Sequence, residues 1–182
     1  MTSGIIFQLL DGGQALAHLD ELRDLYVDVY AEPPYEWGDE HGDLFVERFK
    51  VQAAQDGFAL VEARRGAELV GCCFGVTLQP STPWWRNLLA PLPEELTKES
   101  PGRTFAVVEL LVRKAWRRQH VAKAMHDLLL RNRPEERATL TVLPAALPAQ
   151  RAYAQWGWHT VAQKRNPLPG SPVFDVLVKE FE

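Results

Sequence analysis

The sequence predicts an α/β fold in which helices pack on both faces of a central mixed sheet. Three observations support this prediction: apolar residues at helical spacing over 15–30, an apolar strand-like run over 104–112, and a helical pattern over 121–131 that leads to another apolar segment at 138–143. A strand–helix–strand order implies a right-handed crossover between two parallel neighbours. Because the chain has 182 residues, 46% of them hydrophobic, we expect one domain over residues 1–182 with a substantial core.

The first half of the chain is predicted to contain a strand, two helices and a β-hairpin. Pro33-Pro34 ends the first helix, since proline cannot continue it, and Arg65-Gly66 joins the hairpin strands. In order, the elements are strand 5–10, a turn at Asp11-Gly12-Gly13, helix 15–30, helix 39–55, and strands 58–64 and 68–78.

Residues 80–103 differ from the rest of the second half. They hold five prolines and the pair Trp84-Trp85 without clear periodicity, and irregular segments of this length are often lids or binding loops. The remaining elements are, in order, strand 104–112, helix 121–131, strand 138–143, a helix from Pro148 to Gly157, and strands 158–163 and 173–178.

A basic turn follows the strand at 104–112. Five Lys or Arg and no Asp or Glu lie between Arg113 and Lys123, although the net charge of the chain is −4. The start of the next helix offers free backbone N–H groups and the positive end of the helix dipole, which together favour an anion. The turn therefore predicts an anionic ligand, while an ordinary solvated helix start explains the charge alone equally well.

Several classes of function are not expected. The mildly acidic balance gives no general reason for nucleic acid or membrane surfaces, and the apolar runs are far shorter than the ~20 residues of a membrane span. Met1-Thr2-Ser3-Gly4 has no secretory-signal character. Adjacent Cys72 and Cys73 are predicted as buried residues of a reducing cytoplasm, and the histidines lack metal-binding spacing. We therefore expect a cytoplasmic protein without a metal.

Three segments together resemble the GNAT superfamily of acyl-CoA-dependent N-acyltransferases. They are Val108-Glu109-Leu110-Leu111-Val112, then Arg117-x-x-His120-x-Ala122, then Ala149-x-x-x-Tyr153-x-x-x-Gly157-Trp158. The order of elements matches over about residues 5 to 180. The resemblance implies a GNAT-like domain that uses acetyl-CoA as co-substrate and transfers its acetyl group by direct attack of a primary amine.

The resemblance also implies which residues hold the cofactor. The central strand lends backbone groups to the pantetheine arm, and the loop after it wraps the pyrophosphate with backbone N–H groups. Two positions depart from the family: His120 stands where glycine is usual, and Ala146 where asparagine is common. We expect His120 to fit if its φ stays negative. The implied cofactor-binding residues are Leu110, Leu111, Val112, Arg117, Arg118, Gln119, His120, Val121, Ala122 and Lys123.

Two residues are candidates for catalysis. By resemblance, Tyr153 is the general acid that protonates the departing thiolate; the alternative is an aromatic side chain that packs the last helix on the sheet. Glu109 lies in a very apolar strand, where a carboxylate is costly unless it faces a cleft or has a partner. It is either a general base that deprotonates the amine or a structural carboxylate.

The acceptor side of the cleft is predicted from an acidic and aromatic segment. Residues 28–47 contain seven Asp or Glu and no Lys or Arg, which favours a cationic amine acceptor; the alternative is a solvated acidic helix face. Trp84 and Trp85 either close over this cleft, clamp their own segment, or form a dimer contact. The candidate substrate-binding residues are Glu32, Tyr35, Trp37, Trp84 and Trp85.

Three functions compete at this point. The first is an N-acetyltransferase for a small cationic amine, with a homodimer as a possible assembly. The second is a catalytically silent acyl-CoA-binding or regulatory module, which His120 and Ala146 favour. The third, nucleic-acid binding through residues 113–123, is disfavoured by the acidic total. The identity of the acceptor is left open because many activities share such a fold.

Overall fold

The computed structural model describes residues 4–182, so Met1, Thr2 and Ser3 of the expected non-secretory start lie outside the described residues. Its elements are β1 (Ile5–Leu10), α1 (Gly12–Leu16), α2 (Leu19–Tyr30), α3 (Glu40–Ala53), β2 (Ala59–Arg65), β3 (Glu68–Thr77), α4 (Glu94–Thr97), β4 (Thr104–Val112), a 3₁₀ turn (Lys114–Trp116), α5 (Val121–Leu130), β5 (Arg137–Val142), α6 (Leu147–Gln155), β6 (His159–Arg165) and β7 (Val173–Glu180). No helix within residues 4–182 has the length and apolarity needed to cross a bilayer.

The strands form a mixed sheet in the order β1-β2-β3-β4-β5-β7-β6. Strands β4 and β5 are parallel, with Thr104, Phe105 and Ala106 opposite residues 137–139. The pairs β1–β2, β2–β3, β5–β7 and β6–β7 are antiparallel. The predicted mixed α/β fold, with its strand–helix–strand crossover from β4 through α5 to β5, is confirmed.

The chain divides into two compact units. The first runs to Val76 and resumes over Val107–Arg133, and the second comprises Thr77–Ala106 and Pro134–Glu182. Strand β4 gives its first three residues to the second unit and the rest to the first. The single domain expected over residues 1–182 stays a prediction.

An aromatic core holds the helices of the first unit on its strands. Tyr26 of α2, Phe45 and Phe49 of α3, and Phe74 of β3 are each at most 2% exposed. The rings of Tyr26 and Phe45 stack at 4.5 Å, and those of Phe49 and Phe74 meet edge-on at 5.1 Å. Burying each such side chain contributes about 1.5–3 kcal/mol, so this core fixes α2 over the sheet.

The start of the chain differs from the prediction. The turn predicted at residues 11–13 is wrong, because Gly12 already begins α1, and the single helix predicted over 15–30 is divided into α1 and α2. Asp11 accepts a hydrogen bond from Gln14 N, and the Gln14 side chain accepts one from Asp11 N, which is a capping box. A Cβ on Gly12 would lie 1.9 Å from Ala53 O, so glycine allows α1 to approach the end of α3.

In the second unit, residues 80–103 are attached to strand β6. Leu88 and Lys164 form an antiparallel bridge, and Leu89 N donates to Gln163 O at 2.8 Å. Further along, Arg165 N donates to Asn87 O. Apart from the single turn of α4, the segment is irregular, as predicted, but these backbone hydrogen bonds extend the sheet edge.

A buried ion pair holds the end of the same segment. Glu99 is 8% exposed and Arg137 6%, and Arg137 Nη2 donates to Glu99 Oε1 at 3.0 Å. The same oxygen accepts from Trp85 Nε1 at 2.8 Å and Thr104 Oγ1 at 2.9 Å, while Arg137 also donates to Leu96 O. Glu99 depends on this cluster because a buried carboxylate without partners is strongly destabilising.

We expect Arg137→Met to lower the free energy of unfolding by about 3–5 kcal/mol, since it leaves the Glu99 carboxylate buried and uncompensated. The double variant Glu99→Gln/Arg137→Met should recover a large part of this loss. Urea unfolding measures both. Lys50→Met, which breaks an exposed pair with Glu47, is the control and should cost under about 1 kcal/mol. A similar loss from Arg137→Met and Lys50→Met would contradict the prediction.

Candidate active site

The carboxylate of Glu109 lies in β4 beside the end of α2. Tyr30 Oη donates a hydrogen bond to Glu109 Oε2 at 2.5 Å. Although Glu109 is partly exposed, the surrounding protein desolvates its carboxyl and raises its pKa to about 7; the Tyr30 hydrogen bond and the charge of Arg48 oppose this rise. A carboxylate with a pKa near neutrality can accept or return a proton under physiological conditions.

Three partly exposed aromatic residues, Tyr30, Tyr35 and Trp37, form what we call the aromatic wall. The Tyr30 ring stacks on Trp37 at 4.6 Å and meets Tyr35 edge-on at 4.7 Å, while buried Tyr26 supports it from below at 4.6 Å. The structure therefore brings two predicted substrate-binding residues, Tyr35 and Trp37, together with Glu109 through Tyr30. Desolvation, with Glu109 as a second cause, raises the pKa of Tyr35 above its ordinary value.

We predicted no role for Tyr30 beyond its membership of an aromatic segment. One local signal was available: Tyr26 and Tyr30 are four residues apart and so share a helix face, and Tyr26 belongs to the apolar stripe of that helix. The partner of Tyr30 is 79 residues away in the chain, however, and no local pattern identifies it.

Most acidic residues of the acceptor segment are occupied in ion pairs. Glu32 Oε2 lies 2.6 Å from Arg117 Nη1 and Glu32 Oε1 lies 3.0 Å from Lys114 Nζ, while Asp28 pairs with Arg113 at 2.8 Å. Arg23 binds Asp39 and Asp43. The negative charge expected to attract the acceptor is therefore largely neutralised by these ion pairs, and contact of Glu32 with substrate stays a prediction.

The basic loop, residues 113–123, has an unusual backbone conformation. Arg118 and His120 adopt left-handed conformations with φ of 60° and 61°. A negative φ was the condition on which His120 was expected to fit, and this condition is not met, because the chain makes here the turn that glycine makes without strain. His120 is the N-cap of α5 but provides no side-chain capping bond. The N–H groups at the start of α5, including those of Val121 and Ala122, thus lack a side-chain cap, which leaves them available to a ligand.

The charges of the basic loop are partly balanced. Lys123 pairs with Asp127, in addition to the pairs of Arg113, Lys114 and Arg117. Within residues 4–182, Arg118 is the cation of this loop without a carboxylate partner. Its neighbour Gln119 donates to Ala115 O and so ties the loop to itself.

The three strand residues expected to contact the pantetheine arm differ in exposure. Leu110 is partly exposed, whereas Leu111 and Val112 are buried. The Val112 carbonyl accepts a hydrogen bond from Arg117 Nε at 3.0 Å. A Cβ on Gly71 would lie 2.7 Å from Leu111 O, so glycine lets β3 approach β4 closely. Together, the free helix N-terminus and the glycine-like loop fit a pyrophosphate group, while use of these residues by a cofactor stays a prediction.

Tyr153 lies on α6 in the second unit and is 9% exposed. Its ring meets Trp156 edge-on at 5.7 Å and Trp158 at 5.9 Å. These contacts show that the ring packs, as the structural alternative holds, and they leave the acid role of its phenol a prediction. Ala146, the other departure from the family, is the N-cap of α6 and offers no side-chain hydrogen bond there.

The indole groups of Trp84 and Trp85 are occupied within the second unit. Trp84 Nε1 donates to Thr139 Oγ1 at 3.2 Å, and Trp85 Nε1 donates to Glu99. Arg137 also lies over the Trp85 ring, 5.2 Å from its centre. These contacts support the interpretation that Trp84 and Trp85 hold their own segment in place, while a role of either residue in substrate binding or in a dimer contact stays a prediction.

These features define a class of protein: an α/β fold with a basic loop at an uncapped helix N-terminus and a titratable carboxylate on the preceding strand. No group of three or more potential metal ligands occurs in the described range, 4–182. A profile of the acetyltransferase (GNAT) family matches residues 19–158. The chain belongs to the acetyltransferase (GNAT) family.

Solved structures of acetyltransferases share the fold. A probable acetyltransferase from Staphylococcus epidermidis ATCC 12228 has a TM-score of 0.70 at 14% identity, covering 98% of this chain and 99% of that one. Aminoglycoside 6′-acetyltransferase type Ii has a TM-score of 0.66 at 16% identity over 96% of both chains. The PaiA N-acetyltransferase from Thermoplasma acidophilum, in complex with coenzyme A, has a TM-score of 0.62 at 10% identity over 97% and 99%. No curated protein sequence matches.

We expect His120→Gly to raise the free energy of unfolding by about 0.5–1.5 kcal/mol, because glycine adopts the left-handed conformation without the steric strain of a Cβ. The higher conformational entropy of glycine in the unfolded chain offsets part of this gain. It should also tighten acetyl-CoA binding, measured by titration calorimetry. Ala124→Gly, inside α5, is the control and should cost about 0.8–1 kcal/mol. Equal destabilisation by both variants would contradict a strained His120.

Proposed function

We propose that this chain is an acetyl-CoA-dependent N-acetyltransferase in which a primary amine attacks the thioester directly. The observation that carries the proposal is Glu109, a carboxylate on β4 with a pKa of about 7, held by Tyr30 beside the aromatic wall. Membership of the acetyltransferase family supports the class of reaction. In the proposal Glu109 is the general base and Tyr153 the general acid.

The shifted pKa of Glu109 lowers the cost of deprotonating the amine. An aliphatic ammonium has a pKa of about 10.4, roughly six units above an ordinary glutamate, and each unit is 1.36 kcal/mol. With Glu109 at about 7, the gap is roughly half as large, so proton transfer costs about 4 to 5 rather than about 8 kcal/mol. That saving is the contribution expected of a tuned general base.

The cofactor site is proposed at the basic loop and the end of β4. Acetyl-CoA supplies the acetyl thioester. The backbone of Leu110–Val112 binds its arm, and the N–H groups of residues 118–123, with Arg118 nearby, bind its phosphates. The left-handed residues and the uncapped start of α5 support this assignment.

We propose a cationic small-molecule amine as the acceptor. The aromatic wall offers π faces to an ammonium group, and Glu109 offers a carboxylate beside them. Because Asp28, Glu32, Asp39 and Asp43 are in ion pairs, we assign most of the attraction to the aromatic faces rather than to net acidic charge. The cytoplasmic location expected from the sequence is part of this proposal.

A panel of amines tests the function. Acetyl-CoA is incubated with a polyamine, an aminoglycoside, free amino acids and a peptide, and free thiol release is recorded. The proposal expects turnover with a cationic small amine above the rate without acceptor. Cofactor binding by calorimetry without thiol release for any amine would favour the silent acyl-CoA-binding alternative, for which His120 and Ala146 remain the supporting features.

We expect kcat/KM of the parent to rise with pH and level off above an apparent pKa of about 7, because Glu109 acts when ionised. Glu109→Gln should lower kcat/KM by about 10²–10⁴. The pKa of Glu109 is higher in the folded than in the unfolded protein, so the protonated side chain favours the folded state. This contribution to the free energy of unfolding is fully present below the ordinary pKa of glutamate and is lost as pH rises through about 7. Glu109→Gln should therefore melt higher than the parent at pH 8, which separates lost catalysis from unfolding.

Tyr30→Phe completes this test. It keeps the ring contacts and removes the hydrogen bond that favours ionised Glu109, so the acid limb of the pH profile should move to higher pH. An unchanged limb in Tyr30→Phe, or an active Glu109→Gln, would remove Glu109 from the role of base.

We expect Tyr153→Phe to lower kcat at saturating acetyl-CoA by about 10²–10⁴, because the phenol can no longer protonate the leaving thiolate. The ring contacts with Trp156 and Trp158 persist, so the melting temperature should change little. Trp156→Phe, which alters packing beside the same ring, is the control and should affect stability more than kcat. A Tyr153→Phe variant with most of its kcat would reduce Tyr153 to a packing residue.

A further inference from the structure

Glu32 connects the basic loop to the turn that carries the aromatic wall. Its side chain is 26% exposed, and its two carboxylate oxygens contact different cations, Lys114 Nζ at 3.0 Å and Arg117 Nη1 at 2.6 Å. Hydrogen bonds from these two cations lower the pKa of Glu32. The carboxylate therefore stays ionised and bridges the loop at neutral pH.

The main chain of the same residue organises the acceptor turn. Glu32 O accepts hydrogen bonds from Tyr35 N and Glu36 N, both at 3.1 Å. Trp37 N donates to Tyr30 O at 2.8 Å, which closes the turn back on the end of α2. A shift of the Glu32 main chain thus acts directly on Tyr35 and Glu36, which belong to the turn that Trp37 closes.

Arg117 is the more constrained of the two cations. Its Nε donates to Val112 O at 3.0 Å at the end of β4, and its Nη1 is directed to Glu32. Lys114, with a side chain 81% exposed, is free to reorient. Both belong to the loop on which the proposed function places an anionic cofactor.

We propose that Glu32 is a positioning residue that exchanges its two cations with the cofactor phosphates and thereby links cofactor binding to the order of the aromatic wall. The inference rests on the proposed function. Before the cofactor binds, Glu32 neutralises Lys114 and Arg117 and holds the turn against the loop. Ion pairs at this exposure are weak, so a phosphate group competes with them readily.

Removal of the Glu32 charge therefore has opposite effects on the two ligands. The cations no longer have a competing carboxylate, so an anion binds the loop more tightly. The turn loses its attachment to the loop, so the amine binds a less ordered wall. Thermodynamic linkage makes the coupling between two binding equilibria reciprocal, so it can be measured from either side.

The test compares Glu32→Gln with the parent in two measurements. Calorimetry with coenzyme A should show binding roughly 2- to 10-fold tighter, the range expected when a carboxylate in two weak ion pairs stops competing. Binding of the acceptor amine to the cofactor-free protein, also measured by calorimetry, should weaken by a similar factor. At saturating coenzyme A the phosphates already hold both cations, so there Glu32→Gln should bind the amine as the parent does. Asp28→Asn is the matched control: it makes the same charge change one turn earlier, next to Arg113 and outside the acceptor turn, so binding of the amine should stay constant.

A double-mutant cycle keeps the test independent of folding. Lys114→Gln changes an exposed side chain and should weaken coenzyme A binding, and the gain from Glu32→Gln should shrink in the Lys114→Gln background. Additive effects, changes within twofold, or a weakening of both ligands with a lower melting temperature would overturn the proposal. Absence of coenzyme A binding in the parent would instead overturn the proposed function.

Discussion

The hydrogen bond from Tyr30 to Glu109 is the interaction on which the candidate site depends. A carboxylate in an apolar central strand is costly, and the raised pKa of Glu109 measures that cost. Tyr30 reduces it with one short hydrogen bond, and the Tyr30 ring can reach the carboxylate only because α2 is fixed by the aromatic core of Tyr26, Phe45 and Phe74. The apolar packing of the first unit is therefore a condition for the contact between Tyr30 and Glu109.

Charge compensation explains how a cationic loop of five Lys or Arg is tolerated. The C-terminus of α2, the negative end of its dipole, has no basic residue in its last turn. Asp28 lies in that turn, and Glu32 lies just beyond the end of the helix. They meet Arg113, Lys114 and Arg117 of the basic loop, so opposite charges satisfy both the helix end and the loop. The acidic segment and the basic turn looked like two separate binding surfaces in the sequence. The structure joins them by ion pairs, and only Arg118 of the loop keeps an unbalanced charge within residues 4–182.

The sequence predicted the local features well and the distant contacts poorly. Strand β4, helix α5 and their parallel partner β5 follow from apolar periodicity, which depends on neighbours in the chain. The early start of α1 was missed although its capping box, Asp11 with Gln14, is a local signal; the approach of Gly12 to Ala53 of α3 is not local. The partners of Tyr30, Glu32 and Trp85 were missed for that second reason. Each contacts a residue distant in the chain, and residue type alone leaves several partners equally acceptable.

The structure places its unfavourable features together. Arg118 and His120 hold left-handed conformations that glycine would adopt at less cost, and Glu109 carries a partly desolvated charge on the strand just before them. A chain selected for stability alone would place glycine in the loop and an apolar residue in the strand. Backbone strain persists where the surrounding contacts determine the conformation, and here these are the ion pairs of Arg117 and the hydrogen bond of Gln119. Under the proposed function, the strain in the loop and the desolvation in the strand have one explanation: both shape the end of β4 and the start of α5 for a ligand rather than for the stability of the fold.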